Sequence, residues 1–308
     1  MLFIRRYCTD SARTASSTFI SNSGLKYIRS KVLKADPKNH SKSLFLAHRD
    51  GLPFVLKTVS PSVFEQSNGL KHEFKSKRFR HHIDESENEC VLVYEWYKDD
   101  LLQLIRKQPD IPLRSRKWIL REIAETLMDY HAKNWIHIDV KPDNVFVDWN
   151  TDSQGHIKPE RVALGNLDLS LKLEGDHLLN IPNGGMIGNC LFVITTVEKL
   201  QVNFRELDEE GTSHRDALMQ ILLVYFGPLP KGLLTHIKDE VWVQKIKESA
   251  AALEEMGIGD DVRLANWTQE SQPDLDVDTK RFLSRMLNLD PARRARMEQI
   301  LVDSWWSS

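Results

Sequence analysis

The sequence predicts an α+β fold, with strands gathered in the front third and helices behind. Three observations predict it: a hairpin signal over residues 43–57, an apolar and aromatic strand run ending near Tyr97, and helical spacing of apolar residues from Leu113 onward. A chain of 308 residues that is 41% hydrophobic can fill the core of two ordinary domains or one large bilobed one.

The elements follow in order. SLFLA (Ser43 to Ala47), the Asp50-Gly51 turn and LPFVLK (Leu52 to Lys57) make a hairpin, because Asp-Gly favours the tight turn that matches strand twist. A helical stretch runs from Ser60 towards Lys75, and VLVYEWY (Val91 to Tyr97) is the next strand. From Leu113 to His131, Ile119, Leu120, Ile123, Leu127 and Tyr130 recur at helical spacing and give one apolar face. Two short strands, NVFVDW and RVALGNLD, flank the polar loop TDSQGHIKPE. Beyond residue 190 the signals are helical, with Ala217, Leu218, Ile221, Leu222 and Tyr225 on one face and Phe282, Met286 and Leu287 on another.

Composition bounds the function. A formal net charge of -2, from 42 basic and 44 acidic residues, gives no global field for nucleic acid or a membrane surface, so neither is expected as a partner. The apolar stretches fall short of the roughly 18 residues that cross a bilayer. Cys8, Cys90 and Cys190 stand far apart and form neither a disulfide framework nor a zinc motif. That points to a reducing, intracellular compartment, cytoplasmic by default. Residues 1–24 read as a disordered tail or, from Arg5, Arg6 and Arg13 against the single acid Asp10, as a mitochondrial transit peptide.

The chemistry concentrates in HIDVKPDNVFVDW, His137 to Trp149. Asp139, Lys141 and Asn144 fall within six residues where a helix gives way to a strand, so they can converge on one point. An aspartate there accepts a hydroxyl proton, a lysine neutralises a phosphate and an asparagine oxygen binds a hard cation such as magnesium. Together they suit phosphoryl transfer. Such a site needs a second carboxylate for the metal, which Asp168 at the end of RVALGNLD supplies. It also needs a fixed cation for the phosphates, which Lys57 supplies, and Glu73 in LKHEF has the right charge to pair with Lys57.

On these residues the sequence resembles the eukaryotic protein kinase family, from about Leu25 to the C-terminus, with HIDVKPDN matching the catalytic-loop pattern. Lys141, two residues after the aspartate, resembles the serine/threonine-specific type. The resemblance implies a bilobed protein-kinase-like fold, with a strand-rich N-lobe over residues 25–97 and a helical C-lobe over residues 98–308. It implies ATP and Mg2+ as cofactors and a protein substrate. Asp139 is then the catalytic base, Lys141 a γ-phosphate contact, and Asn144 and Asp168 magnesium ligands. Lys57 in FVLK is the nucleotide lysine with Glu73 as its ion-pair partner, and Asp168 in DLS stands where the family has DFG. Tyr94 becomes the bulky residue behind the adenine, with Glu95 to Tyr97 as hinge backbone. LDPARRARMEQILVDSWW resembles the end of the kinase domain, where Arg294 closes the C-lobe.

The pattern also breaks. No glycine lies between Gly24 and Gly51, so the Gly-rich loop is missing, and Lys34, Lys38 or Lys42 are the nearby cations that remain. MIGN (Met186 to Asn189) resembles the late activation segment and CLFVITTVEKL the second half of the buried helix. About twenty-five residues of the family's layout are missing between them. Arg294 then lacks its glutamate partner, and a buried unpaired arginine is costly. Ile138 stands where many kinases carry the arginine that reads a phosphorylated loop, which argues against that mode of regulation. Two other classes share these residues: a non-catalytic kinase-fold scaffold, which the missing parts favour, and a small-molecule kinase of the same fold, which Lys141 disfavours.

Overall fold

The computed structural model describes residues 18–34, 43–173, 193–194, 204–209, 211, 213–257 and 262–308. Residues 1–17 of the expected N-terminal tail, Lys38, Lys42, Met186 to Asn189 and most of Cys190 to Leu200 lie outside the described residues, while Thr18–Ile20, within the span read as tail, forms a strand. The chain divides into two compact units, one reaching to Lys98 and taking in Gly165–Asp168, the other holding Asp99–Leu164 and Leu169–Ser308.

The first unit is built on a six-stranded antiparallel sheet of order β1-β2-β3-β4-β6-β5. Its strands are β1 Thr18–Ile20, β2 Lys26–Lys34, β3 Leu44–Arg49, β4 Leu52–Thr58, β5 Asp84–Ser86 and β6 Val91–Glu95. The predicted hairpin is β3-β4, and its turn residues Asp50 and Gly51 take φ of 53° and 78°, the left-handed region that Asp tolerates and Gly adopts freely. Side chains alternate between the two faces of the sheet. Phe54, Leu56, Val91 and Val93 join Phe19, Tyr27 and Ala47 in one core. Leu92 and Tyr94, one residue out of phase, pack with Val59, Val63 and Phe64 on the other. Helix α1, Pro61–Glu73, begins at Ser60, whose hydroxyl accepts from the Val63 amide, with Pro61 preset for the first turn. It buries Phe64, Ser67 and Leu70 at three-residue spacing.

The second unit carries a three-stranded antiparallel sheet, β10-β9-β7, and a two-stranded one, β11-β8. These are β7 Asp99–Asp100, β8 Trp135–His137, β9 Val145–Thr151, β10 Ile157–Leu164 and β11 Ser170–Lys172. Its helices are α2 Leu101–Lys107, α3 Leu113–His131, α4 Phe204–Glu209, α5 His214–Phe226, α6 Lys231–His236, α7 Glu240–Glu255, α8 Val277–Met286 and α9 Met297–Leu301. The structure is therefore α+β, with mixed helices and antiparallel sheets. Among the described residues, no helix is long and apolar enough to cross a membrane.

Two strand readings need correction. IKPE is not loop: Ile157–Glu160 opens β10, and a register shift between Pro159 and Arg161 accommodates the proline, which cannot donate to the ladder. RVALGNLD is not strand throughout: β10 stops at Leu164, Asn166 turns left-handed with φ 55°, and Asp168 sits in the short 3-10 turn Leu167–Leu169.

Buried charge holds the helical core together. Arg116 on α3, 4% exposed, donates to the carbonyls of Ile111 at 2.9 Å, Val193 at 3.4 Å and Ile194, and to Asp274 Oδ2 at 2.7 Å. Lys117 donates to the Trp305 carbonyl at 2.8 Å and lies 4.4 Å from the centre of that indole. Arg294 is exposed and donates Nε to the Asn288 carbonyl at 2.9 Å, so the expected cost of a buried, unpaired arginine does not arise.

Candidate active site

The loop that carries Asp139 belongs to the second unit and is anchored at both ends. Asn134, with φ 59°, ends the α3 exit turn, and its carbonyl accepts from the Leu173 amide at 2.7 Å beside the β8-β11 ladder. Tyr130 reaches from α3 to share a 2.9 Å hydrogen bond with Ser170, which pairs with His137 across that ladder. Ser170 is thus a buried structural residue, 1% exposed. His137 is buried too, and its Nδ1 accepts from the Asp139 amide at 3.2 Å, which fixes the backbone where the aspartate emerges.

Beyond it, Pro142 opens a 3-10 turn, Pro142–Asn144, whose Asn144 amide donates to the Lys141 carbonyl at 2.9 Å. That turn folds Asn144 back under the loop, 2% exposed. Its Nδ2 donates to the main-chain oxygen of Asp139 at 2.7 Å and to Asp139 Oδ2 at 2.9 Å. Lys141 Nζ lies 3.3 Å from the same Oδ2 and 3.6 Å from Asp143 Oδ2. The structure therefore brings Asp139, Lys141 and Asn144 together, as their spacing predicts. The Asp139 carboxylate is thus partly exposed and held by an amide and an ammonium.

The first unit gathers a second constellation. Lys57 follows the buried run Phe54-Val55-Leu56 on β4 and pairs in register with Leu92 on β6. Its Nζ lies 2.9 Å from Asp168 Oδ1 and donates to Asn166 Oδ1 at 3.1 Å. Both side chains of the ion pair are partly shielded, Lys57 at 19% and Asp168 at 26% exposed. The expected Lys57–Glu73 pair is a correction. Glu73 is the last residue of α1, and among the described residues Lys57 is held by Asp168 and Asn166 instead. A pairing read from charge and chain separation alone does not fix where a helix ends.

The stretch expected to form the hinge carries a feature that sequence reasoning missed. Glu95 is the last residue of β6, its side chain exposed, and its carbonyl accepts from Arg80 Nη2 at 3.0 Å. The same guanidinium lies 5.2 Å from the Tyr94 ring centre and 5.7 Å from that of Tyr97, which is 8% exposed. Desolvation holds the Tyr94 phenol well above its ordinary pKa, and the Asp168 charge adds to the rise. Asn166 was also missed. Its one available signal was the Gly-Asn pair inside an apolar run, which marks a turn.

In the second unit Asn144 carries a side-chain oxygen of the kind magnesium takes; in the first, Asp168 carries a carboxylate oxygen and Lys57 an ammonium of the kind that meets phosphate charge.

No protein-family model matches the chain. Human receptor-interacting serine/threonine-protein kinase 1 is 29% identical over 142 residues, 42% of this chain and 20% of that protein. Mouse myotonin-protein kinase is 33% identical over 101 residues, 32% of this chain and 15% of that protein. Ribosomal protein S6 kinase 2 alpha of Xenopus laevis is 25% identical over 213 residues, 67% of this chain and 24% of that protein. The chain thus spans less than a quarter of the length of each of these relatives. At low identity and over part of its length, the chain has a kinase-like relationship to serine/threonine protein kinases.

Proposed function

We propose that the chain is a serine/threonine protein kinase-like phosphotransferase that moves the γ-phosphate of ATP to a protein hydroxyl. In this reading the first unit is the nucleotide lobe and the second the catalytic lobe of a bilobed fold. The observation that carries it is the convergence of Asn144 and Lys141 on Asp139 within one short turn. Asp139 takes the proton of the substrate hydroxyl, whose oxygen bonds to the γ-phosphorus as the bond to the bridging oxygen of ADP breaks. Lys141 offsets charge on the transferred group. Lys57 contacts the nucleotide phosphates, and the backbone from Glu95 to Tyr97 takes the adenine. Asn144 and Asp168 supply oxygens to magnesium, which when bound neutralises phosphate charge. The relatives' names support a protein as acceptor.

The test is transfer of labelled γ-phosphate from ATP to a mixture of serine- and threonine-containing proteins. Transfer by the parent chain and its loss in Asp139→Asn support the reading, and an Asp139→Asn variant as active as the parent removes Asp139 from its role. A second reading, a kinase-fold scaffold without turnover, is favoured by the Arg80 guanidinium on the Glu95 carbonyl, one of the main-chain acceptors proposed for the adenine. A folded parent chain with no transfer and no ATP binding selects it.

A further inference from the structure

Lys57 carries its charge on a long, flexible stem, and holding it at one point costs conformational entropy unless its donors are engaged. Two acceptors engage it here: the Asp168 carboxylate at 2.9 Å and the Asn166 amide oxygen at 3.1 Å. Asp168 is also the carboxylate proposed for magnesium, and a carboxylate drawn to a metal is a weaker tether for the ammonium. The Asn166 oxygen is not among the proposed magnesium ligands.

The backbone adds a second observation. Asn166 sits at φ 55°, where glycine is the residue without steric cost and asparagine is among the few others tolerated. An asparagine there gives up glycine's conformational ease and gains a side-chain oxygen, which the structure places on Lys57. We propose that Asn166 is the positioning residue for Lys57, in the role that the sequence assigned to Glu73. The proposal rests on the nucleotide-site reading for its functional consequence, but the contact itself does not.

The geometry supplies its own controls. Asn166→Gly keeps a residue at ease with φ 55° while deleting the oxygen, so its folding is preserved. Asn166→Asp keeps an oxygen and tolerates the same backbone. Glu73→Gln removes the charge of the helix glutamate. Two readouts are taken on the full chain. The first is the rate at which an amine acylating reagent labels Lys57 in the nucleotide-free protein, read by mass spectrometry. The second is the affinity for ATP with magnesium, read by calorimetry.

Asn166→Gly is expected to raise the labelling rate severalfold and to weaken ATP affinity by about tenfold, the scale of one hydrogen bond to a charged group. Asn166→Asp is expected to restore both to within about threefold, and Glu73→Gln to leave both within about twofold. Parent-like labelling in Asn166→Gly overturns the proposal, as does an equal change in Glu73→Gln. If Asn166→Gly alters labelling while the parent shows no affinity for ATP, Asn166 still positions Lys57 and the nucleotide reading is the part that falls.

Discussion

The amide nitrogen of Asn144 donates to Asp139 twice, to its main-chain oxygen at 2.7 Å and to its carboxylate at 2.9 Å. One buried side chain thus sets both where the loop runs and where its carboxylate points. A proton acceptor must lie within hydrogen-bond reach of its donor, so this bracing bears directly on the proposed role of Asp139 as base.

Replacing Asn144 with alanine removes both bonds and leaves the Asp139 carbonyl without that partner. We expect a loss of about 1–3 kcal/mol in unfolding free energy, the scale for a buried hydrogen-bonded group, measured by urea titration. Phosphotransfer should fall at least about 100-fold, because the base and a proposed metal ligand are affected together. A variant with lowered stability and undiminished transfer contradicts the role given to Asn144.

Asp168→Ala acts differently. The Lys57 ammonium keeps Asn166 as a partner, so the fold should tolerate the change, while the magnesium-dependent part of ATP affinity should fall about tenfold or more. Calorimetry with and without magnesium separates the two. Equal affinity under both conditions in the parent protein removes Asp168 from metal binding.

Arg116 bears on stability rather than chemistry. Its guanidinium is 4% exposed and spans three carbonyls and Asp274, so Arg116→Met orphans several acceptors at once. Breaking a buried pair of this kind costs about 3 kcal/mol. Thermal unfolding should drop by roughly 6–12 °C for a domain of this size. A change under about 2 °C contradicts the account of this network.

Acid should loosen the first unit. Burial pushes the His82 pKa down to about 3, with Lys71, His81 and His72 adding to the fall and Asp84 opposing it. Burial likewise pushes His81 down to about 4, with Lys71 and Lys75 also lowering it and a hydrogen bond to the Phe74 backbone opposing. His82 Nε2 lies 2.9 Å from Asn68 on α1 and 2.8 Å from Glu85 on β5, so it ties the helix to the sheet edge. Both histidines stay neutral when folded and take a proton when unfolded below about pH 6.5, so the unfolded chain binds more protons there. Stability should therefore decline from about pH 6.5 towards pH 4. Urea midpoints across that range should flatten in the pair His81→Asn, His82→Gln, and an unchanged slope contradicts the assignment.

What was legible in the sequence follows its physics. The β3-β4 hairpin was readable because Asp50-Gly51 specifies a turn locally, and α3 because its apolar period runs over five turns. Asp139, Lys141 and Asn144 were readable because their meeting needs only one short turn. The Lys57–Glu73 pair failed because it depends on where α1 ends and on what approaches from residues 165–168, far along the chain. Arg80, Arg116 and Asn166 were missed for the same reason: the Glu95 carbonyl, Asp274 and Lys57 that they engage lie 15, 158 and 109 residues away, and no local pattern encodes such a contact. The short strands β5, β7, β8 and β11, of two or three residues each, carry too little periodicity to register.

In the proposed function, Lys57 and Asp168 hold ATP and magnesium and Asp139 serves the transfer of phosphate. Its most direct test is the thermal midpoint of the purified chain with ATP, with and without magnesium. A ligand that binds only the folded state stabilises it by about 2.7 kcal/mol at a hundred times its dissociation constant. A magnesium-dependent rise is expected, abolished in Lys57→Met and retained in Asp139→Asn. A folded protein whose midpoint does not move with ATP and magnesium contradicts it.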